Sequence, residues 1–213
     1  MTSVAGHWGE SVHPDQPRIG VLALQGAFRE HLSALHRLGV TGGTVRTADQ
    51  LADVDALIIP GGESSAMSRL AIDLEVLAPV ADRIRAGMPT FGTCAGMIML
   101  ANDLRDARPD QRQFGGLDLV VRRNAFGRQV ASFEAPVDMP CIGEVSFPGV
   151  FIRAPWVESS GAEVEVLAKI AHGGATRIVA VRQRNVLATA FHPEISGDDR
   201  VHQLFLSMVN QSE

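Results

Sequence analysis

The sequence has little that would crosslink the chain or anchor it in a membrane. Its 213 residues include only two cysteines, Cys94 and Cys141, which are too few for a disulfide scaffold. No apolar run reaches the roughly 18 residues needed to span a bilayer, which argues against a membrane protein. The first residues lack the basic start and apolar run of a secretory signal. These absences predict a cytoplasmic protein with reduced thiols.

Positive charge is also scarce. Nineteen Lys and Arg stand against twenty-four Asp and Glu, which gives a formal net charge of −5. This balance argues against a nucleic-acid partner, because such a partner usually requires a basic face. The apolar fraction of 46% is too high for a disordered chain. The length favours one domain and leaves two possible.

Short apolar runs alternate with helical patterns through the first half of the chain. Four runs predict strands: residues 19–24, 44–46, 56–59 and 89–93. Between them apolar residues recur at helical spacing, first at 28, 32, 35 and 38, then at 67, 70, 74 and 77, and residues 95–101 form a further predicted helix. This order predicts a parallel sheet covered by helices on both faces.

After about residue 115, short β-like runs dominate and are separated by glycine and proline. These runs are residues 117–121, 150–153, 164–168, 178–182 and 186–190, followed by a helical pattern at 198–209. Hairpin-type connections are expected here, which predicts one α/β domain with a mixed sheet over residues 18–213. Residues 1–17 have no periodicity and are expected to form a flexible extension.

Cys94 lies in a segment, residues 92–96, of the form G-x-C-x-G between a predicted strand and a predicted helix. This is the cysteine version of the nucleophile elbow. Small neighbours permit the tight turn, and the helix N-terminus would stabilise the thiolate. The N–H of Ala95 is placed to stabilise an oxyanion. The alternative is a buried structural cysteine beside two ordinary glycines, and Cys141, in a loop-like stretch, is predicted to be an ordinary thiol.

A nucleophilic cysteine needs a base, and the base needs an orienting group. His192 ends a predicted strand and is followed by Pro193 and Glu194, whose carboxylate can fix the imidazole tautomer. With Cys94 these residues form a candidate triad, and the alternative is a chance loop sequence at a strand end. The other histidines of the domain are predicted to be surface or packing residues: His31, His36, His172 and His202.

A glycine-rich turn, Pro-Gly-Gly-Glu-Ser-Ser at residues 60–65, follows a predicted strand and precedes a helical pattern. Free N–H groups at a helix start attract an oxyanion, so the N–H of Gly62 is a candidate second donor. A phosphate site is disfavoured because the G-x-x-x-x-G-K-[ST] pattern and any lysine are absent. The structural alternative is a helix cap at Ser64 or Ser65, which is compatible with ligand binding.

Together these motifs resemble class I glutamine amidotransferases, and three further segments resemble the glutaminase subunits of pyridoxal 5′-phosphate synthases. The three segments are Leu-Gln-Gly at 24–26, Asn-Ala-Phe-Gly-Arg-Gln at 124–129 and Phe-Ile-Arg-Ala-Pro at 151–155. The resemblance runs from about residue 18 to the C-terminus. It implies a single-domain, flavodoxin-like α/β fold with a mixed central sheet and helices on both faces. The departures are Ser65, where threonine is common, and the N-terminal extension.

The resemblance also implies a role for individual residues. Cys94 would be the nucleophile, His192 the general base and acid, and Glu194 the orienting carboxylate. Gln25 would lie near the oxyanion hole, formed by the N–H groups of Gly62 and Ala95, and near the interface with a synthase subunit. The residues expected to line the glutamine site are Gly62, Glu63, Ser64, Arg123, Ile152 and Arg153.

The implied reaction is hydrolysis of L-glutamine to L-glutamate and ammonia through a thioester, with no cofactor or metal ion. Because free ammonia would be protonated and lost in water, a separate synthase subunit is expected to dock, to activate the site and to receive the ammonia. Two alternatives stay open. One is a glutaminase of another pathway, such as histidine biosynthesis, or a γ-glutamyl hydrolase. The other is a binding module that kept the fold and lost the chemistry.

Overall fold

Strands and helices alternate through the first half of the chain, as the apolar pattern predicts. The computed structural model describes residues 16–123 and 132–211. Of the predicted extension at 1–17, only residues 16 and 17 are among the described residues. The segment 124–129 lies entirely outside them. The elements of the first half are β1 (Ile19–Leu22), α1 (Phe28–Arg37), β2 (Gly42–Val45), α2 (Ala48–Ala52), β3 (Ala56–Ile59), α3 (Ser64–Asp73), α4 (Leu77–Arg85), β4 (Thr90–Thr93) and α5 (Ala95–Leu100).

The second half consists mainly of strands and ends in a helix, which also agrees with the prediction. Its elements are β5 (Ala101–Arg105), β6 (Leu117–Arg122), β7 (Ser132–Val137), β8 (Phe147–Ile152), β9 (Trp156–Ser160), β10 (Glu165–His172), β11 (Ala175–Gln183), β12 (Val186–Thr189) and α6 (Arg200–Asn210). The apolar pattern missed β5, β7 and β9 because most of their residues are exposed or half-buried. Such strands contain no continuous apolar run to detect.

Ten of the strands in the described residues form one sheet, in the order β2-β1-β3-β4-β12-β11-β9-β6-β5, with β10 paired to β11. In this order each neighbouring pair from β2 to β12 is parallel. The next pair, β12 with β11, is antiparallel. Strands β7 and β8 form a separate antiparallel pair. The predicted mixed sheet is therefore confirmed.

The pairing of β4 with β12 brings two distant parts of the chain together. The strands are parallel, with Thr93 in register with Thr189, so both end at the same edge of the sheet. Cys94 follows β4 directly, and its N–H donates to the carbonyl of Thr189 at 2.8 Å. His192 follows β12 after two residues, and its N–H donates to the carbonyl of Val150 at 2.9 Å. The sheet thus places the cysteine and the histidine at one edge.

The apolar residues at 67, 70, 74 and 77 do not share one continuous helix. Residues 67 and 70 lie in α3, Leu77 begins α4, and Leu74 lies between the two helices. Between the helices Glu75 has a φ of 55°, a left-handed conformation that a helix cannot continue through. Leu74 is 47% exposed, so it does not belong to the buried face as the pattern predicts. The periodicity located the helical region but not its break.

The sheet and helices share one apolar core. A single cluster of buried side chains extends from Ile19 in β1 to Val209 in α6. Its largest fully buried members include Phe91 at β4 and Phe191, which follows β12. Aromatic packing therefore surrounds the two strands that carry the cysteine and the histidine. Among residues 16–123 and 132–211, no helix combines the length and the apolar character needed to cross a bilayer.

Candidate active site

Cys94 occupies a strained turn between β4 and α5. Its φ of 49° and ψ of −101° lie outside the regions that L-residues usually adopt. The neighbouring backbone segments are in close contact, since a Cβ on Gly96 would overlap the carbonyl oxygen of Ile59 and a Cβ on Gly92 would lie 2.7 Å from the carbonyl carbon of Gly96. The small residues of the motif are thus required by packing. The cysteine itself is 5% exposed.

His192 and Glu194 interact in the order that the sequence predicts. Nδ1 of His192 is 2.7 Å from Oε1 of Glu194, and the imidazole lines the same cavity as Cys94 and interacts with its side chain. Pro193 begins a single 3₁₀ turn, Pro193–Ile195, which folds the carboxylate back toward the imidazole. All three side chains of this Cys–His–Glu group are buried. The structure therefore brings the three predicted residues into one chain of contacts.

The charges of this group support one another. Burial lowers the pKa of His192, but its hydrogen bonds with Cys94 and Glu194 and the charges of both outweigh burial and raise that pKa to about 10. Burial raises the pKa of Glu194, but its hydrogen bond with His192 and the charge of that imidazole hold the pKa below its usual value. At neutral pH the imidazole is thus an imidazolium between the carboxylate of Glu194 and the side chain of Cys94.

The raised pKa of His192 predicts how stability depends on pH. Below the ordinary histidine pKa of 6.5 the imidazole is protonated in both the folded and the unfolded chain, so its favourable interactions contribute fully. Between 6.5 and about 10 only the folded chain holds the proton, so the free energy of unfolding should fall as pH rises. We expect urea denaturation to show that wild type loses its advantage over His192→Gln across this window. An advantage that stays constant or grows with pH would contradict the assignment.

Two fully buried histidines, His31 in α1 and His202 in α6, contact each other, and His31 also faces Glu194. Nε2 of His31 is 3.1 Å from Oγ1 of Thr93 and 3.6 Å from Oε2 of Glu194. Nδ1 of His31 is 3.0 Å from Nε2 of His202. The sequence interpretation predicted surface or packing roles for both histidines and missed the contact of His31 with Glu194. The available signal was the position of His31 four residues before the buried Leu35, on the apolar side of α1.

Gln25 and Glu63 hold the glycine-rich turn after β3. Oε1 of Gln25 accepts from the N–H of Glu63, and Nε2 donates to the carbonyl of the same residue, both at 3.1 Å. The carboxylate of Glu63 accepts from two N–H groups in the first turn of α3, at 3.2 and 2.7 Å. Glu63 is therefore the N-cap of α3, and the alternative of a cap at Ser64 or Ser65 is wrong. Gln25 lies against the turn that carries Gly62.

Cys94 and His192 line one cavity of about 140 Å³ that opens to solvent. The lining also contains every residue that the resemblance assigned to the glutamine site: Gly62, Glu63, Ser64, Arg123, Ile152 and Arg153. It contains one residue that the resemblance did not assign, Ile98. Three predicted residues lie outside this lining. Glu194 contacts the imidazole of His192, Gln25 supports the glycine-rich turn, and Ala95 begins α5.

The two arginines of the cavity differ in their partners. Arg123 donates to Oε1 of Gln111 at 2.8 Å and to Oε1 of Glu63 at 2.9 Å. Gln111 is buried and also donates to Oγ of Ser64 at 3.3 Å, so it braces two cavity residues. A single glutamine in a polar loop gives no sequence signal, so the sequence analysis did not predict the hydrogen bonds of Gln111 to these two cavity residues. Arg153 is exposed and strained, with a φ of 44°, and its guanidinium has no hydrogen-bond partner in the described part of the chain.

The remaining candidates for chemistry lie elsewhere. Cys141 is an exposed thiol in the 3₁₀ turn Pro140–Ile142, away from the cavity lining. Within residues 16–123 and 132–211, no three His, Cys, Asp or Glu side chains are grouped so that they could hold a metal ion. The cavity itself presents a thiol, an imidazole, a carboxylate and two guanidinium groups.

Comparison with known proteins gives a consistent set of relatives. The SNO glutamine amidotransferase family matches residues 21–211. The pyridoxal 5′-phosphate synthase subunit PdxT of Streptomyces griseus is 57% identical over 195 residues, which cover 92% of this chain and 97% of the relative. The PdxT subunit of Streptomyces avermitilis is 58% identical over 193 residues, covering 91% and 94%. A crystal structure of a glutamine amidotransferase matches with a TM-score of 0.83 at 47% identity, covering 90% of this chain and 98% of that one.

Proposed function

Because the chain belongs to the SNO glutamine amidotransferase family, we propose that it is the glutaminase subunit of a pyridoxal 5′-phosphate synthase. It hydrolyses L-glutamine to L-glutamate and ammonia, and a separate synthase subunit receives the ammonia. The observation that carries this proposal is the cavity in which Cys94 and His192 adjoin the residues expected to bind glutamine. The names of the PdxT relatives support the choice of pathway. We place this activity in the cytoplasm.

The first half of the proposed reaction forms a thioester. The thiolate of Cys94 attacks the side-chain amide carbon of glutamine, and the negative charge moves to the amide oxygen. The N–H groups of Gly62 and Ala95 hold this oxygen. Ala95 is the first residue of α5, so its N–H has no acceptor within the helix and is available. Removing one such donor typically costs about 2.7–4 kcal/mol of transition-state stabilisation.

His192 moves the protons in both halves of the reaction. Its imidazolium gives a proton to the departing nitrogen, the C–N bond breaks, and ammonia leaves. A water molecule then attacks the thioester while His192 takes its proton, and the C–S bond breaks to release glutamate. Because Nδ1 is bonded to Glu194, Nε2 is the nitrogen that exchanges protons at the cysteine.

The α-carboxylate of glutamine requires a cation in the cavity. Arg123 is already neutralised by Glu63 and hydrogen-bonded to Gln111, whereas the guanidinium of Arg153 has no partner among residues 16–123 and 132–211. A guanidinium can bond both oxygens of a carboxylate. Arg153 is therefore the better partner for the α-carboxylate, and Arg123 with Glu63 forms a fixed wall beside it.

Docking to the synthase subunit is expected to increase the activity. Glutamate release should be slow for the isolated chain and several-fold faster when the acceptor subunit from the same organism is added, with that subunit alone as the control. Equal rates with and without the acceptor would contradict activation by docking. No glutamate from either sample would favour the non-catalytic binding module. Glutamate release without formation of pyridoxal 5′-phosphate by the complex would favour a glutaminase of another pathway.

A further inference from the structure

One oxygen of Glu194 lacks a hydrogen-bond partner in the described residues. Oε1 is bonded to His192 at 2.7 Å, but Oε2 is buried and unsatisfied. A buried polar atom without a partner is destabilising, and a charged one more so. The group that faces Oε2 is the imidazole of His31, whose Nε2 is 3.6 Å away and whose side chain is completely buried. The protonation of that nitrogen therefore decides whether the contact is attractive.

The contact between His31 and His202 indicates which nitrogen carries the proton. Burial lowers the pKa of both histidines, that of His202 to about 3, so both are neutral and each has one N–H. Across the 3.0 Å contact between Nδ1 of His31 and Nε2 of His202, one nitrogen must donate and the other accept.

If His202 donates from Nε2, its unsatisfied atom Nδ1 is a bare lone pair and His31 holds its proton on Nε2. The opposite arrangement buries an unpaired N–H at His202 and directs a lone pair of His31 toward the carboxylate of Glu194. Both consequences are unfavourable. The geometry therefore favours His31 with its proton on Nε2, directed at Oγ1 of Thr93 and Oε2 of Glu194.

We propose that His31 is a positioning residue of the glutaminase: its Nε2–H, shared between Thr93 and Glu194, fixes the orientation of the Glu194 carboxylate and thereby of the His192 imidazole. Thr93 directly precedes Cys94, so the same group ties the carboxylate to the strand that carries the nucleophile. Because His31 is neutral, Glu194 keeps its full negative charge for His192. The proposal rests on the proposed glutaminase function, since His31 acts only through Glu194 and His192.

Two variants of His31 separate the N–H donor from the volume of the side chain. His31→Met fills similar space without a donor, whereas His31→Gln can place an amide N–H where Nε2 lies. In the complex with the synthase subunit, we expect His31→Met to lower kcat about 10- to 100-fold, by analogy with other residues that orient active-site groups. KM for glutamine should stay within about twofold because His31 lies outside the cavity lining. His31→Gln should restore most of kcat, and His36→Met, an exposed position on the same helix, should change neither constant.

A proton NMR spectrum provides a readout that packing alone would not move. The Nδ1–H of His192, bonded to Glu194 at 2.7 Å, should give a low-field resonance in wild type and in His31→Gln. The same resonance should move upfield or broaden in a folded His31→Met. If His31→Met leaves both kcat and the resonance unchanged, or if His31→Gln loses as much kcat as His31→Met, the positioning role is wrong.

His202→Leu tests the same hydrogen-bond network without altering His31. It therefore tests the positioning role of His31 even if His31→Met does not fold. This variant removes the donor to Nδ1 of His31, so kcat should fall several-fold and the His192 resonance should shift. An unchanged resonance together with unchanged kcat would overturn the proposal. Failure of wild type to release glutamate would instead overturn the proposed function, and the NMR comparison would still report on His31.

Discussion

Replacing Cys94 by alanine is expected to lower glutamate release by the complex by about four to six orders of magnitude. Loss of a nucleophile that acts as a unit with its base typically has an effect of this size. Alanine has no sulfur and therefore cannot form the thioester. The measurement is glutamate release at saturating glutamine, together with mass spectrometry of the wild-type and Cys94→Ala chains quenched during turnover. Only the wild-type chain should carry a glutamyl adduct.

The second cysteine supplies the matched control for this experiment. Cys141 is exposed and lies in a 3₁₀ turn outside the cavity lining, so Cys141→Ala should keep nearly full activity. Glutamine should still raise the melting temperature of Cys94→Ala, because the binding residues are unchanged. Residual activity within tenfold of wild type in Cys94→Ala, or an equal loss in Cys141→Ala, would refute the assignment of the nucleophile.

Replacing Glu194 by glutamine is expected to lower kcat by about 10³- to 10⁴-fold, with little change in KM. The neutral amide removes the negative charge behind His192, and loss of the equivalent carboxylate in other triads has an effect of this order. Glu194 is one of the groups that raise the pKa of His192 to about 10, so the variant should lower that pKa. An imidazole that is protonated less of the time stabilises the thiolate less. Alkylation of Cys94 by iodoacetamide should therefore require a higher pH than in wild type.

Glu163→Gln is the control for the loss of one carboxylate. Glu163 is exposed on the surface, where it pairs with Arg184, so the same chemical change there should alter neither kcat nor the pH dependence of alkylation. If Glu194→Gln retains an unshifted alkylation profile, Glu194 does not support the charge of His192 and the triad assignment fails.

The sequence predicted the elements whose packing imposes a continuous apolar pattern. Strands β1, β3, β4 and β12 are buried on both faces, and β1, β3 and β12 appear in the sequence as short apolar runs. The break between α3 and α4 could not be predicted, because it depends on the left-handed backbone of Glu75, a residue with no intrinsic preference for that conformation. Strand β7 has an exposed residue at every second position up to Val137 and lacks the continuous apolar run.

In the candidate site too, residues held in place by their sequence neighbours were predicted, and residues held by distant contacts were missed. Cys94 and Glu194 were identifiable because the turn that holds each is encoded within a few neighbouring residues. Gln111 and His31 were not, because each acts through contacts with residues remote in sequence. Gln111 touches Ser64 and Arg123, and His31 touches Glu194. Only the folded sheet brings those partners within reach.

The place of β12 in the sheet also bears on how the protein is made. This strand lies between β4 and β11, but the ribosome adds it almost 100 residues after β4, a delay of about 5–20 s at typical rates of synthesis. Throughout that interval the nascent chain has one unpaired edge on β4, a strand whose apolar faces make it prone to join other chains. The emerging thiol also lacks its histidine, so incomplete chains hydrolyse no glutamine. Catalytic competence and protection from aggregation are thus acquired together, late in translation.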